Sequence, residues 1–320
     1  MRKNIDSVPA TRQRSHNEAD SNPDEVLKKA EGDILANEER DQIKVELSEW
    51  LGEQEIRIKK RLAGFDIGEE ETEKLIKQIR KDISTELRMM GSNFEAMQAK
   101  IREKLPEINA SPDISSEQKS AAGWLAVASR LAFNKMIRRK LRGETSDQEN
   151  SMLGLISGLI DKNVLGHHDP LAEEIHLSIF NDLKLADYQK VIDHEITHFA
   201  FNKKVPQAAY LRLRGANEIK NSKDRTVLSM AFQFSNVLLA INESAAHLVE
   251  GRTPDFTKYA DQMPTRMFAE VYAAIKNKLA DVSKSDYDRF LLDIYDTTAN
   301  KWREDISFEE IAAIIIDLKK

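Results

Sequence analysis

The chain has 320 residues, of which 41% are hydrophobic and 32% charged, and its net charge is −6. Because acidic and basic side chains are interspersed, the composition is typical of a globular protein and argues against binding to nucleic acid or to an anionic membrane. The absence of cysteine excludes disulfides, thiolate metal ligands and a cysteine nucleophile.

The N-terminal segment is polar. Residues 1–36 carry few large apolar side chains, and this composition predicts a disordered tail. They contain no apolar region of the kind found in signal peptides, and the longest apolar run of the chain, residues 311–316, is too short for a membrane span. We therefore expect a cytoplasmic protein that does not enter a membrane, although a signal-free export route would leave no trace in the sequence.

Residues 37–143 show helical periodicity and are expected to form an all-α domain. A helix at about 38–62 precedes a strongly amphipathic segment at 75–105, in which apolar residues recur every three or four positions. Pro106 is expected to end this second helix, and a third helix is expected at about 116–141. We interpret the domain either as a pro-region that occludes a cleft or as an adaptor for a substrate or partner.

A polar segment at 143–150 is the predicted boundary with a second domain, residues 144–320. In this domain, residues 174–180 alternate between apolar and polar side chains and are the one convincing strand of the sequence. An edge strand can pair with an extended peptide through backbone hydrogen bonds. The strand at 174–180 is therefore the expected place for a peptide or protein substrate.

The motif H-E-x-x-H follows this strand. His194 and His198 are four residues apart, so on a helix they share one face and can bind one zinc ion from the same side. Glu195 then lies near the open coordination position, where it can accept a proton from a bound water. Apolar neighbours, and the absence of Gly and Pro from residues 187–203, predict that this segment is a buried helix.

A catalytic zinc with two histidine ligands needs a third protein ligand, which in a chain without cysteine is His, Asp or Glu. Glu243 lies among alanines in a predicted helix at about 224–249. An unpaired carboxylate would be costly there, and coordination of a metal would offset that cost. His247 and Glu250 are the alternative third ligands.

Glu243 belongs to the sequence Asn-Glu-Ser-Ala-Ala at 242–246. An H-E-x-x-H helix followed by a helical Asn-Glu and small residues resembles the gluzincins, a group of zinc metallopeptidases, and the resemblance covers about residues 165–255. It implies a zincin-like α+β catalytic domain, mainly α with a small β-sheet. It also implies one zinc ion per chain, bound by the two motif histidines and Glu243. Several gluzincins carry an Asp four residues after the ligand Glu, a position occupied here by His247.

The resemblance further implies hydrolysis of a peptide bond by zinc-bound water, with Glu195 as the base and then as the proton donor to the leaving amine. Such enzymes usually add a hydrogen-bond donor for the oxyanion that develops. The candidate donors are His247, Tyr210, Tyr259 and Tyr272. Asp193, which precedes the first motif histidine, is expected to be a helix cap or a surface acid.

A zinc metallopeptidase is thus the first hypothesis. The alternative is a helical interaction or regulatory protein whose zincin-like domain is inactive or merely binds metal, and the amphipathic segment at 75–105 favours it. Glu195 argues against this alternative, because a structural metal site does not need a base. A zinc hydrolase of a non-peptide substrate is a third hypothesis. Nothing in the sequence specifies the substrate or the oligomeric state.

Overall fold

A computed structural model describes residues 23–157, 166–169, 172–180, 184–211, 225–303 and 305–320. Within these ranges the protein is mainly helical with one two-stranded antiparallel sheet, which confirms the predicted secondary-structure class. The helices are α1 (Pro23–Gly64), α2 (Glu69–Ala110), α3 (Ser116–Val127), α4 (Arg130–Leu141), α5 (Asp147–Ser157), α6 (Leu185–Lys204), α7 (206–211), α8 (Arg225–Glu250), α9 (Thr265–Leu279), α10 (Tyr287–Ala299) and α11 (Phe308–Lys319). The strands are β1 (Gly166–Asp169) and β2 (Glu174–Leu177). Of the helices described, none has the length and apolar character that crossing a membrane requires.

Helix α1 begins earlier than the sequence predicted. It starts at Pro23, so the expectation of a disordered tail is wrong for residues 23–36, while residues 1–22 lie outside the described part of the chain. Proline fits the first position of a helix because its φ angle is already helical, and the segment that follows is rich in Ala, Leu, Glu and Lys. Polar composition does not distinguish an exposed helix from a disordered tail.

The end of α2 and the helix after it also differ from prediction. Helix α2 continues through Pro106, which is exposed near its end, where a carbonyl that lacks its helical partner can be hydrated. The single helix predicted at 116–141 is two helices, α3 and α4, and the side chain of Ser129 caps the second. Gln98 of α2 donates to the carbonyl of Ala128 at 2.7 Å, so a distant side chain satisfies a carbonyl that the break exposes.

The sheet is held between α2 and the rest of the protein. Its strands pair with His168 of β1 opposite Ile175 of β2. On the other edge of β2, Gln78 of α2 accepts the N–H of Ile175 at 3.1 Å, and Glu86 accepts the N–H of Ile179 at 2.9 Å. Gln78 and Glu86 are two helical turns apart on one face of α2. Strand β2 therefore has β1 on one edge and α2 on the other, and a peptide that paired with it would displace these contacts.

The helices on both sides of the predicted domain boundary share a core. Buried apolar side chains from α1 to α11 form one continuous cluster. The segment at 143–150 is itself anchored, because the buried Lys140 donates to the side chain of Asn150 at 2.9 Å. This segment is thus the connection between α4 and α5 and does not divide the core.

Candidate metal centre

The motif lies on α6, which confirms the predicted helix. His194 and His198 lie one turn apart on its inner face, with their Nε2 atoms 3.1 Å apart and their rings edge to face. Burial lowers the pKa of His194, which favours the neutral ring. A neutral imidazole has a lone pair available for a metal ion.

Glu243 reaches this pair from α8, which packs against α6. Its Oε2 lies 3.7 Å from Nε2 of His194, and its Oε1 lies 3.6 Å from Nε2 of His198. The neighbouring alanines of α8 are fully buried, and their small side chains allow the two helices to approach closely. Tetrahedral zinc, with bonds of about 2.0–2.1 Å, places its ligand atoms about 3.3–3.4 Å apart. The separations of 3.1–3.7 Å bracket that value, so these three residues could hold a divalent metal ion.

The ring of His198 is also oriented from its other side. The Oδ1 of Asn242, a fully buried side chain of α8, lies 2.8 Å from Nδ1 of His198. An N–H at Nδ1 donates to this oxygen and leaves Nε2 as the atom directed at Glu243 and His194. Two consecutive residues of α8 therefore supply a ligand and the group that orients another ligand.

Glu195 is buried beside the two histidines, 6% exposed. Burial raises its pKa, and the charges of Glu243 and Glu250 add to this effect, so that its pKa is about 8. The backbone N–H of His168 on β1 donates to its carboxylate and opposes part of the shift. Strand β1 therefore lies directly over the motif helix at the position of the expected base.

A second group of polar side chains adjoins the first. His194, His247 and Glu250 also present three ligand atoms close together, and Glu250 lies 3.4 Å from Nδ1 of His194. Burial alone would raise the pKa of Glu250, but the two histidines and the charge of Arg252 outweigh burial and lower its pKa to about 2. This carboxylate is therefore ionised.

The structure brings two of the four candidate oxyanion donors to the site. The hydroxyl of Tyr259 lies 2.9 Å from Nε2 of His247. Burial, together with the nearby charge of Glu243, raises the pKa of Tyr259, so this phenol keeps its proton. Tyr272 instead donates to the backbone carbonyl of Arg252 at 3.3 Å. Tyr210 lies on α7 and is 58% exposed.

The outer face of α6 carries a polar network that the sequence did not reveal. Asp193 is 6% exposed, so the expectation of a helix cap or surface acid is wrong. Arg57 of α1 makes a bidentate ion pair with this carboxylate. Arg61 of α1 donates to the backbone carbonyl of Asp193 at 3.0 Å, to Thr197 at 3.1 Å and to Asp288 of α10 at 2.8 Å. These two arginines fix the motif helix to the N-terminal helix.

Comparison of the chain with protein-family models, with curated proteins and with solved structures gives no match. Function is therefore inferred from the residues of the site alone. Sequence reasoning assigned no role to Asn242, and it considered Glu250 only as an alternative metal ligand. The spacing of Glu243, His247 and Glu250 carried a signal, because residues at i, i+4 and i+7 share one helix face.

Proposed function

We propose that the protein is a zinc metallopeptidase. The observation that carries this proposal is the convergence of His194, His198 and Glu243, from two helices, at separations that suit tetrahedral zinc. Glu195 adjoins them and has no structural ion pair with a cation among the described residues. A buried acid in this position is expected of a catalytic base, whereas a structural metal site has no use for one.

The residues of the site have distinct roles in peptide hydrolysis. Zinc, when bound, supplies a water of lowered pKa and polarises the scissile carbonyl. Glu195 takes the proton of the attacking water and then delivers it to the nitrogen of the leaving amine. Asn242 keeps His198 in the orientation needed for binding. His247 positions the phenol of Tyr259, which keeps its proton, and when a substrate is bound this O–H turns from Nε2 of His247 to the carbonyl oxygen as negative charge develops there.

We propose that the substrate binds along β1 and not along residues 174–180, because both edges of β2 already have partners. Opposing residues of an antiparallel pair direct their backbone N–H and C=O groups toward each other or away from each other, in alternation along the strands. Since the N–H of Ile175 points to α2, the N–H of its partner His168 points away from β2, toward Glu195. A peptide added beside β1 would replace the contact between the N–H of His168 and Glu195, and it would present its backbone next to that carboxylate with little dependence on its side chains.

Metal content and casein hydrolysis test the proposal in wild-type protein and in three variants. Glu195→Ala should retain one zinc ion per chain and lose activity, because the ligands remain. Glu243→Ala should lose both zinc and activity. Glu309→Ala, which removes an exposed acid of α11, is the matched control and should change neither. Wild-type protein that neither contains zinc nor takes it up would refute the proposal. Zinc bound without any hydrolysis would favour the alternative of an inactive metal-binding protein.

A further inference from the structure

Glu250 is the side chain around which the second polar group is arranged. Its carboxylate is almost fully buried at the end of α8, with a side chain that is 6% exposed. The Oε2 atom lies 3.4 Å from Nδ1 of His194 and 3.3 Å from Nδ1 of His247. The Oε1 atom lies 3.1 Å from the guanidinium of Arg252. One carboxylate thus contacts three basic side chains.

Both histidines use their other ring nitrogen elsewhere. Nε2 of His194 faces Glu243 and His198, while Nε2 of His247 lies 2.9 Å from the hydroxyl of Tyr259. The two Nδ1 atoms are buried, and among the described residues neither makes a hydrogen bond of ordinary geometry. Glu250 is therefore the acceptor that their N–H groups approach, through ionic contacts somewhat longer than a hydrogen bond.

We propose that Glu250 is a positioning residue. One of its carboxylate oxygens holds the ring orientations of the metal ligand His194 and of the tyrosine-bound His247, while Arg252 fixes the other oxygen. This inference rests on the proposed function and deepens it. A histidine that binds a metal ordinarily donates its second N–H to a carboxylate or carbonyl, which sets the tautomer and the ring orientation. In this chain the carboxylate comes from two turns beyond Glu243 on the same helix face, and it serves two histidines.

The arrangement links zinc binding to the oxyanion donor. His194 and His247 approach each other with ring centroids 4.8 Å apart, so a shift of Glu250 would move both rings. We therefore expect loss of this carboxylate to weaken zinc binding and also to remove the contribution of His247 to kcat. A residue that only stabilised the fold would change neither quantity once the variant had folded.

The test compares Glu250→Gln with Asp187→Asn. Asp187 faces the same Arg252, at 3.9 Å, so its variant removes an equivalent negative charge that is directed at the arginine. Zinc dissociation constants are measured by competition with a chromophoric chelator, with circular dichroism as the check on folding. Glu250→Gln should weaken zinc binding about 10–100-fold, while Asp187→Asn should leave it within about twofold of wild type. Arg252→Gln, whose side chain is 42% exposed, is a second variant that should fold and should weaken zinc binding by a smaller factor.

Three results would overturn this inference while leaving the metallopeptidase proposal intact. The first is equal zinc affinity in folded Glu250→Gln and wild type. The second is two zinc ions in wild type and one in Glu250→Gln, since Glu250 would then be a ligand of a second ion. The third is a fall in kcat on His247→Gln substitution that is equally large in wild type and in the Glu250→Gln variant. Failure of wild type to bind any zinc would instead refute the proposed function itself.

Discussion

Replacing Arg61 with methionine tests whether the N-terminal helix is part of the structure that holds the motif helix. The Arg61 side chain is 11% exposed, and its guanidinium pairs with Asp193 at 3.4 Å and with Asp288 at 2.8 Å, whose side chains are 9% and 23% exposed. Methionine keeps the length and the apolar part of the side chain but leaves two carboxylates without this partner. Removal of one member of a buried ionic network typically costs about 3–5 kcal/mol. We expect about 3 kcal/mol, because Asp193 retains Arg57.

Thermal unfolding measures this loss. With an unfolding entropy of about 2.1 cal/mol/K per residue over about 300 residues, about 3 kcal/mol corresponds to a fall in Tm of about 5 °C. Lys59→Met is the matched control, because Lys59 lies on the same helix but its ion pair with Glu73 is exposed, so its Tm should be essentially that of wild type. Equal Tm values for the Arg61 and Lys59 variants would refute the reasoning.

The pH dependence of this deficit has a definite sign. Burial raises the pKa of Asp288 above its ordinary value, and Arg61 partly opposes the shift. A group whose pKa is raised on folding disfavours the folded state as pH rises through that pKa and the group ionises. Without Arg61 the pKa should rise further. The Tm deficit of Arg61→Met should therefore be largest near neutral pH and should shrink as the pH falls into the acidic range.

Three further outcomes are expected. A chain that begins at Thr145 should be insoluble or unfolded by circular dichroism, because it lacks the helices that share the core and neutralise Asp193. A folded, active fragment would instead support the interpretation of the N-terminal helices as a detachable pro-region. Asn242→Ala should weaken zinc binding about 10–100-fold in a chelator competition, through loss of its 2.8 Å contact with His198. Removal of zinc by a chelator should lower Tm, since free zinc at about 100 times its Kd stabilises the folded state by about 2.7 kcal/mol, and an unchanged Tm would contradict this.

Much of the helical structure follows from local sequence. The stripe of apolar residues in α2 has the helical period and predicted that helix, while apolar neighbours of the motif and the absence of Gly and Pro predicted α6. The break at Ser129 was missed because Gln98, about thirty positions earlier, helps to stabilise it. Strand β1 was missed because Gly-His-His-Asp has no alternation, and it is a strand through its pairing with β2. Contacts of this kind depend on tertiary structure and leave no local pattern.

The candidate site likewise has one part that local sequence predicts and another that depends on tertiary contacts. The ligand set His194, His198 and Glu243 could be proposed from spacing and composition, since helical geometry fixes which residues share a face. The choice of Tyr259 over the other tyrosines could not be made from the sequence, because it depends on how the 3₁₀ turn at Phe256–Tyr259 returns the chain to α8. The ion pairs of Asp193 with α1 join residues more than 130 positions apart, and spacing does not reveal such contacts.

The central claim is that Glu195 acts as the base of a zinc peptidase, and zinc-loaded Glu195→Gln tests it most directly. Wild type and variant, each with one zinc ion per chain, are incubated with the same peptide mixture, and the products are followed by mass spectrometry. The account predicts cleavage by wild type and a rate at least about 100-fold lower in the variant, because proton transfer to and from Glu195 is lost. Equal cleavage by the two proteins, or none by zinc-loaded wild type, would contradict it.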